Sequence, residues 1–135
     1  MRKLLLSVVL LLGCGDPAGP DDLLYVTKVS PTVLRVGELA AVTTTVVNVG
    51  ELDREVPAPG NCTRVFVVTR EDGSLLVPRG VQCLSYTSTT VRGGEVMVFN
   101  ETWKPSEAGT YLLRSSVGFA GGAREGSPAR VEVRP

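Results

Sequence analysis

Leu39-Ala40-Ala41-Val42-Thr43-Thr44-Thr45-Val46-Val47-Asn48-Val49-Gly50 is the stretch on which the fold turns. Side chains branched at Cβ suit a pleated surface better than a helix, and residues 39–48 hold the longest Val/Thr run in the chain. A period of two sets Val42, Thr44 and Val46 on one face, which we read as the inward one, and Asn48-Val49-Gly50 ends the strand. Toward the N-terminus, residues 23–29 and 32–34 read as one strand broken by Pro31, as at a sheet edge. Toward the C-terminus, residues 64–69 restore a strand with Val65, Phe66, Val67 and Val68, and Glu71-Asp72-Gly73-Ser74 follows as a hairpin turn. Leu75-Leu76-Val77 returns from it, residues 81–91 supply a further strand through Cys83, Leu84 and Tyr86, and Arg92-Gly93-Gly94-Glu95 turns again. Residues 96–103 alternate ambiguously, and we place Phe99 and Trp103 inside. Residues 110–117 and 129–133 are the last two strands. Two stretches read as irregular loops: residues 52–61, with Pro57 and Pro59, and the Gly-rich residues 118–128, with Arg124 and Glu125.

Seven or eight short strands at regular spacing, with no helical period after the first residues and no internal repeat, predict an all-β antiparallel sandwich. Glu107-Ala108-Gly109-Thr110-Tyr111 sharpens that expectation. It resembles the tyrosine corner of immunoglobulin-like sandwiches, where a Gly makes the turn and the Tyr hydroxyl bonds back to upstream backbone.

Before the sandwich lies a different kind of segment. Met1-Arg2-Lys3 is basic, residues 4–12 are apolar apart from Ser7, and Leu11-Leu12-Gly13-Cys14 resembles a lipobox. As a helix, nine residues reach only about 14 Å, and the hydrocarbon core of a bilayer is roughly 30 Å thick. The segment therefore reads as a lipoprotein signal peptide over residues 1–13, cut after the small Gly13, with the Cys14 thiol taking the lipid. Residues 14–22 then form the lipidated Cys and a linker built from Gly, Pro and Asp, and residues 23–135 form the domain. The expected location is the cell envelope, facing away from the cytoplasm. Gly15 rather than Asp after the lipidated Cys points to the outer membrane where the organism has one.

The remaining cysteines follow from this reading. Of three Cys, Cys14 carries lipid and leaves Cys62 and Cys83 as a pair in an oxidising compartment. A bridge over that separation stabilises a small sandwich by about 3 kcal/mol on the loop-entropy model. The other reading, two free buried thiols, suits a reducing compartment.

Composition narrows the chemistry. The 135 residues contain no His, which excludes a Ser-His-Asp triad, a Cys-His dyad and His-based zinc chemistry. Lys28 and Lys104 survive processing, and neither stands in a Ser-x-x-Lys arrangement. No Gly-rich loop opens a helix to cradle phosphate, so no cofactor is expected. Removal of Arg2 and Lys3 leaves twelve basic against fourteen acidic side chains, which gives no footprint for nucleic acid. Glu51, Asp53 and Glu55 alternate as oxygen ligands for calcium would, but with Arg54 interleaved they read as a solvated loop. The expectation is a module that is not an enzyme.

Taken together, Val46-Val47-Asn48-Val49-Gly50, Val65-Phe66-Val67-Val68 ahead of Asp72-Gly73, Gly94-Glu95 leading to Thr102-Trp103, and Gly109-Thr110-Tyr111 resemble the bacterial intracellular proteinase inhibitor (BsuPI) domain. The similarity covers residues 39–117. It implies an immunoglobulin-like sandwich and a serine protease as protein partner, and it carries over no inhibitory residue. The export signal and the Cys62 and Cys83 pair depart from a family named for the cytoplasm. A partner would meet the two long loops, through Pro57 and Pro59 in one and Arg124 in the other. The alternative is a structural or adhesion subunit of an envelope complex that pairs through a sheet edge. Thiol titration of the denatured, exported protein is expected to find neither Cys62 nor Cys83 reactive until a reductant is added.

Overall fold

The computed structural model describes residues 22–60, 63–76, 86–119 and 123–135. Cys14, Cys62 and Cys83, and with them the lipidation and disulfide expectations, lie outside the described residues.

Alternation drives the layering. β1 (Leu23–Ser30) and β3 (Ala40–Asn48) pair antiparallel from Leu23↔Asn48 to Ser30↔Ala41, so Tyr25 and Val29 share an inward face with Val42, Thr44 and Val46. β7 (Val96–Trp103) joins the other side of β3, and β9 (Arg124–Glu125) runs parallel to β1, giving the order β7-β3-β1-β9. The facing sheet has the order β2-β10-β8-β5, built from β2 (Val33–Arg35), β10 (Ala129–Arg134), β8 (Gly109–Ser115) and β5 (Phe66–Arg70). A two-stranded ribbon, β4 (Arg54–Pro57) with β6 (Ser88–Val91), completes that layer. One helical turn, α1 (Ser116–Phe119), follows β8. The architecture is the expected all-β, immunoglobulin-like sandwich.

The core divides in two. One cluster gathers Val29, Val42, Phe66, Leu113 and Val131 between the two large sheets. The other gathers Tyr25, Val46, Phe99, Val56 and Val91 between the first sheet and the ribbon. Thr27 and Thr44, buried and opposite one another in the register, stand between them. Phe99 is buried and Trp103 packs on the first cluster, with its ring 5.3 Å from that of Tyr111 in an edge-to-face contact across the sheets. Tyr111 also makes the expected corner: its hydroxyl donates to the Glu107 carbonyl at 2.9 Å, and Gly109 takes φ +150°, a conformation that disfavours a Cβ. The Asp72-Gly73 turn forms as read, with Gly73 at φ +85° and the Ser74 amide capped by the Asp72 carboxylate at 2.8 Å.

Three expectations change. Pro31 does stand at an edge, but it divides two strands of different sheets rather than breaking one: β9 covers β1 only at Leu24 and Tyr25, which leaves the Pro31 end of β1 open, and after the cis Ser30–Pro31 bond the chain crosses to the edge of the second sheet as β2. Residues 54–57 form a strand rather than a loop, because Val56 and Val91 bury together and draw the ribbon onto the core. In the last loop Arg124 and Glu125 pair with Leu24 and Tyr25, so Arg124 sits on a sheet edge and not on a loop tip.

Asn48 fixes where the ribbon begins. Fully buried, its Nδ2 donates to the carbonyls of Leu52 at 2.8 Å and Val91 at 3.0 Å, while Oδ1 accepts the Gly50 N–H at 3.0 Å. Its backbone N–H donates to the Glu95 carbonyl and its own carbonyl accepts the Gly94 N–H. Truncation strands the buried Val91 carbonyl and leaves the partly buried Leu52 carbonyl and Gly50 amide without their partner, so Asn48→Ala is expected to cost about 3 kcal/mol. Urea denaturation checks this, with the midpoint falling and the slope unchanged.

Candidate functional site

The alternation that buries Val56 and Ala58 turns Pro57 and Pro59 outward, and across the ribbon Glu55 and Thr90 share that outward face. The Ser88 hydroxyl donates to the Glu55 carboxylate, and the Ala58 amide donates to the Thr87 carbonyl at 2.9 Å. This face is therefore braced on both sides before anything touches it. Arg124 lies elsewhere. It is exposed and stands beside Leu24 on the outer face of the first sheet, in the opposite layer. The structure does not bring Arg124 together with Pro57 and Pro59, and the ribbon face is the preformed part of the predicted contact.

Two half-buried carboxylates, which the sequence did not single out, tie the layers together. Glu101 on β7 accepts the Val65 N–H at 3.1 Å, and Glu125 on β9 accepts the Ser115 N–H. Burial pushes both carboxyls above their ordinary value; the Val65 amide and Arg64 pull Glu101 back, as the Ser115 amide and Arg114 do for Glu125. Raised carboxyls also occur in acid-base catalysis, but each of these is occupied by a backbone amide of the opposing layer. Inward Glu101 shares the alternation of Phe99 and Trp103, and that parity was the available signal.

A cleft of about 270 Å³, open to solvent, lies between the Arg70 to Asp72 turn and Tyr111, with Arg70 paired to Glu107 at 3.0 Å beside it. That is small for a ligand pocket. Asp53 accepts the Gly93 amide at 3.2 Å while Glu55 faces Ser88, and no group of three or more metal-ligating side chains forms among the described residues.

The fold is matched in known structures. The chain is similar to the CARDB domain of PF1109 from Pyrococcus furiosus, solved in complex with di-metal ions: TM-score 0.52, 18% identity, covering 84% of this chain and 88% of that one. It is also similar to part of the alkylpurine DNA glycosylase AlkC of Pseudomonas fluorescens, at TM-score 0.56 and 12% identity over 84% of this chain and 31% of that one. A third likeness is to part of the β-glucosidase EmGH1 of Erythrobacter marinus, at TM-score 0.54 and 10% identity over 83% of this chain and 15% of that one. No protein-family model and no curated protein matches the chain, so the resemblance to the proteinase inhibitor domain rests on the sequence motifs alone. The likeness establishes the fold.

The two raised carboxyls make stability depend on pH. A group that holds its proton more tightly folded than unfolded stabilises fully below the unfolded value, and that stability is lost as pH rises through the folded one. Glu101 and Glu125 thus favour the fold at acid pH and weaken it toward neutrality. Glu101→Gln keeps an acceptor for the Val65 amide without the charge. It is expected to match or exceed the wild type at neutral pH and to flatten the stability loss above about pH 4.5, read by thermal melts across pH.

Proposed function

We propose that this protein is a lipid-anchored immunoglobulin-like module, held outside the cytoplasm by Cys14, that binds a protein partner through the outer face of the ribbon and catalyses nothing. The observation that carries the reading is the scale of the likeness. One fold accounts for 88% of the CARDB domain but for only 31% and 15% of two enzymes of unrelated activity. That is how an accessory module behaves, with function residing in surface residues rather than in the fold. The ribbon supports a binding role because Pro57 and Pro59 are already ordered, which lowers the entropy lost on docking. A serine protease is the partner class that the motif resemblance implies. The open edge at β7, with Val96 and Val98 exposed, favours the second reading, a structural subunit joined through a sheet edge.

The readings separate in one set of variants of the full-length protein. Cys14→Ser is expected to abolish labelled palmitate incorporation and release the protein from membranes. Glu55→Arg with Thr90→Arg is expected to abolish partner cross-linking in intact cells, and with it any stoichiometric slowing of a serine protease panel. Cross-linking that survives on the ribbon but disappears with Val98→Lys selects the edge-pairing subunit.

A further inference from the structure

Four of the large hydrophobic residues exposed among the described residues gather at one corner of the first sheet: Val49 at 58%, Leu52 at 66%, Val96 at 57% and Val98 at 51% exposure. They are not scattered. Val96 pairs with Val47, and Val47 pairs with Leu24, so these side chains form an apolar row on the outer face of the sheet. Val49 continues that face past the end of β3, and the Asn48 amide holds Leu52 in the same turn. An exposed apolar patch of this kind marks an interaction surface.

The chain enters the domain at this same corner. The Asp22 carbonyl accepts the Val49 N–H at 2.8 Å, and the Asp22 carboxylate pairs with Arg54 at 2.9 Å. Only residues 15–21 separate Asp22 from Cys14, a stretch whose full extension cannot exceed about 28 Å. If Cys14 is acylated, the patch cannot leave the neighbourhood of the bilayer. A short tether raises the effective concentration of a tethered contact to about the millimolar range, so a weak apolar patch suffices to dock. Local charge does not draw this corner to anionic lipid, since Asp22, Glu51, Asp53 and Glu95 outnumber Arg54, Arg92 and Arg124 by one, and the docking rests on the apolar row.

We infer that Leu24, Val47, Val49, Leu52, Val96 and Val98 form a lipid-docking corner that seats the domain on the surface of its own membrane, with the opposite end of β7 held away. The inference rests on the anchor reading for Cys14. Apolar side chains docked this way enter the boundary between headgroups and acyl chains, by about 5–10 Å.

The test uses the full-length lipidated protein in vesicles of phosphatidylethanolamine and phosphatidylglycerol, with or without bromine on the acyl chains. Native Trp103 lies at the far end of β7, about 24 Å from Val96, and serves as the internal control. Leu52→Trp adds a reporter at the corner. Its emission is expected to fall about twofold in brominated vesicles, with Trp103 in the wild type unaffected. In the Leu52→Trp background, Val49→Ser with Val96→Ser is expected to remove most of that quenching. Quenching that persists there means the introduced Trp inserts by itself, and the inference fails. An unquenched but blue-shifted Leu52→Trp, as a second copy or a protein covering the corner would produce, also overturns it. Mass analysis of Cys14 and vesicle flotation separate the two levels: an acylated, floating protein without quenching refutes the docking alone, whereas an unmodified Cys14 refutes the anchor and the docking with it.

Discussion

A single buried carboxamide decides how this sandwich closes. Asn48 ends β3, and from that point its side chain reaches both the turn leading into β4 and the last residue of β6. Without those bonds the Val91 carbonyl would be buried beside an apolar cluster with no donor, a cost comparable to losing a hydrogen bond, and the partly buried Leu52 carbonyl would lose its link to β3. With them, the ribbon is set at the height where Val56 and Val91 meet Val46 and Phe99. The ribbon has two short strands, too few to be stable alone. Its presence depends on this anchoring and on the apolar surface that the anchoring lets it bury.

A second set of ties between the layers uses charge instead. Glu101 and Glu125 each reach from the first layer to an amide of the second, where β5 begins and β8 ends. A neutral acceptor would do the same with less desolvation, so the carboxylates are a compromise: they satisfy amides, and they hold their protons more tightly than they would in water. Tyr111 works differently, because its hydroxyl satisfies a local carbonyl while its ring is buried against Trp103. Polar ties between the layers are what a domain with two small clusters needs, since neither cluster is large.

Where the sequence spoke through periodicity it was legible. Val42, Thr44 and Val46 point inward as their alternation requires, Phe99 and Trp103 fall on the buried side of β7, and the corner at Tyr111 forms from its local pattern. Proline carries two meanings. Pro31 lacks an N–H and stands where β1 is open and the chain leaves for the edge of the other sheet, as an edge proline should, whereas Pro57 ends a ribbon strand that its composition disguises as a loop. Arg124 and Glu125 form a strand of two residues, too short for any period to show. The role of Asn48 was invisible for another reason: an Asn before Val-Gly is a turn signal everywhere, and only the crossing of β6 above it makes it a buried hub.

The proposed site follows from the division of labour between the layers. The outer face of the ribbon and the outer face of the first sheet point in opposite directions, so one can meet a partner while the other meets a surface. Arg124 belongs with the second face, beside Leu24, and not with Pro57 and Pro59. The chain enters beside Val49, so if Cys14 is anchored as proposed this geometry is consequential: a free module would sample all orientations, whereas one seated at that corner would hold the ribbon in a fixed relation to the membrane. On that reading, the long segment between β3 and β5 owes its length to reach: it carries β4, one strand of the ribbon, across the core to the side that the anchor leaves open.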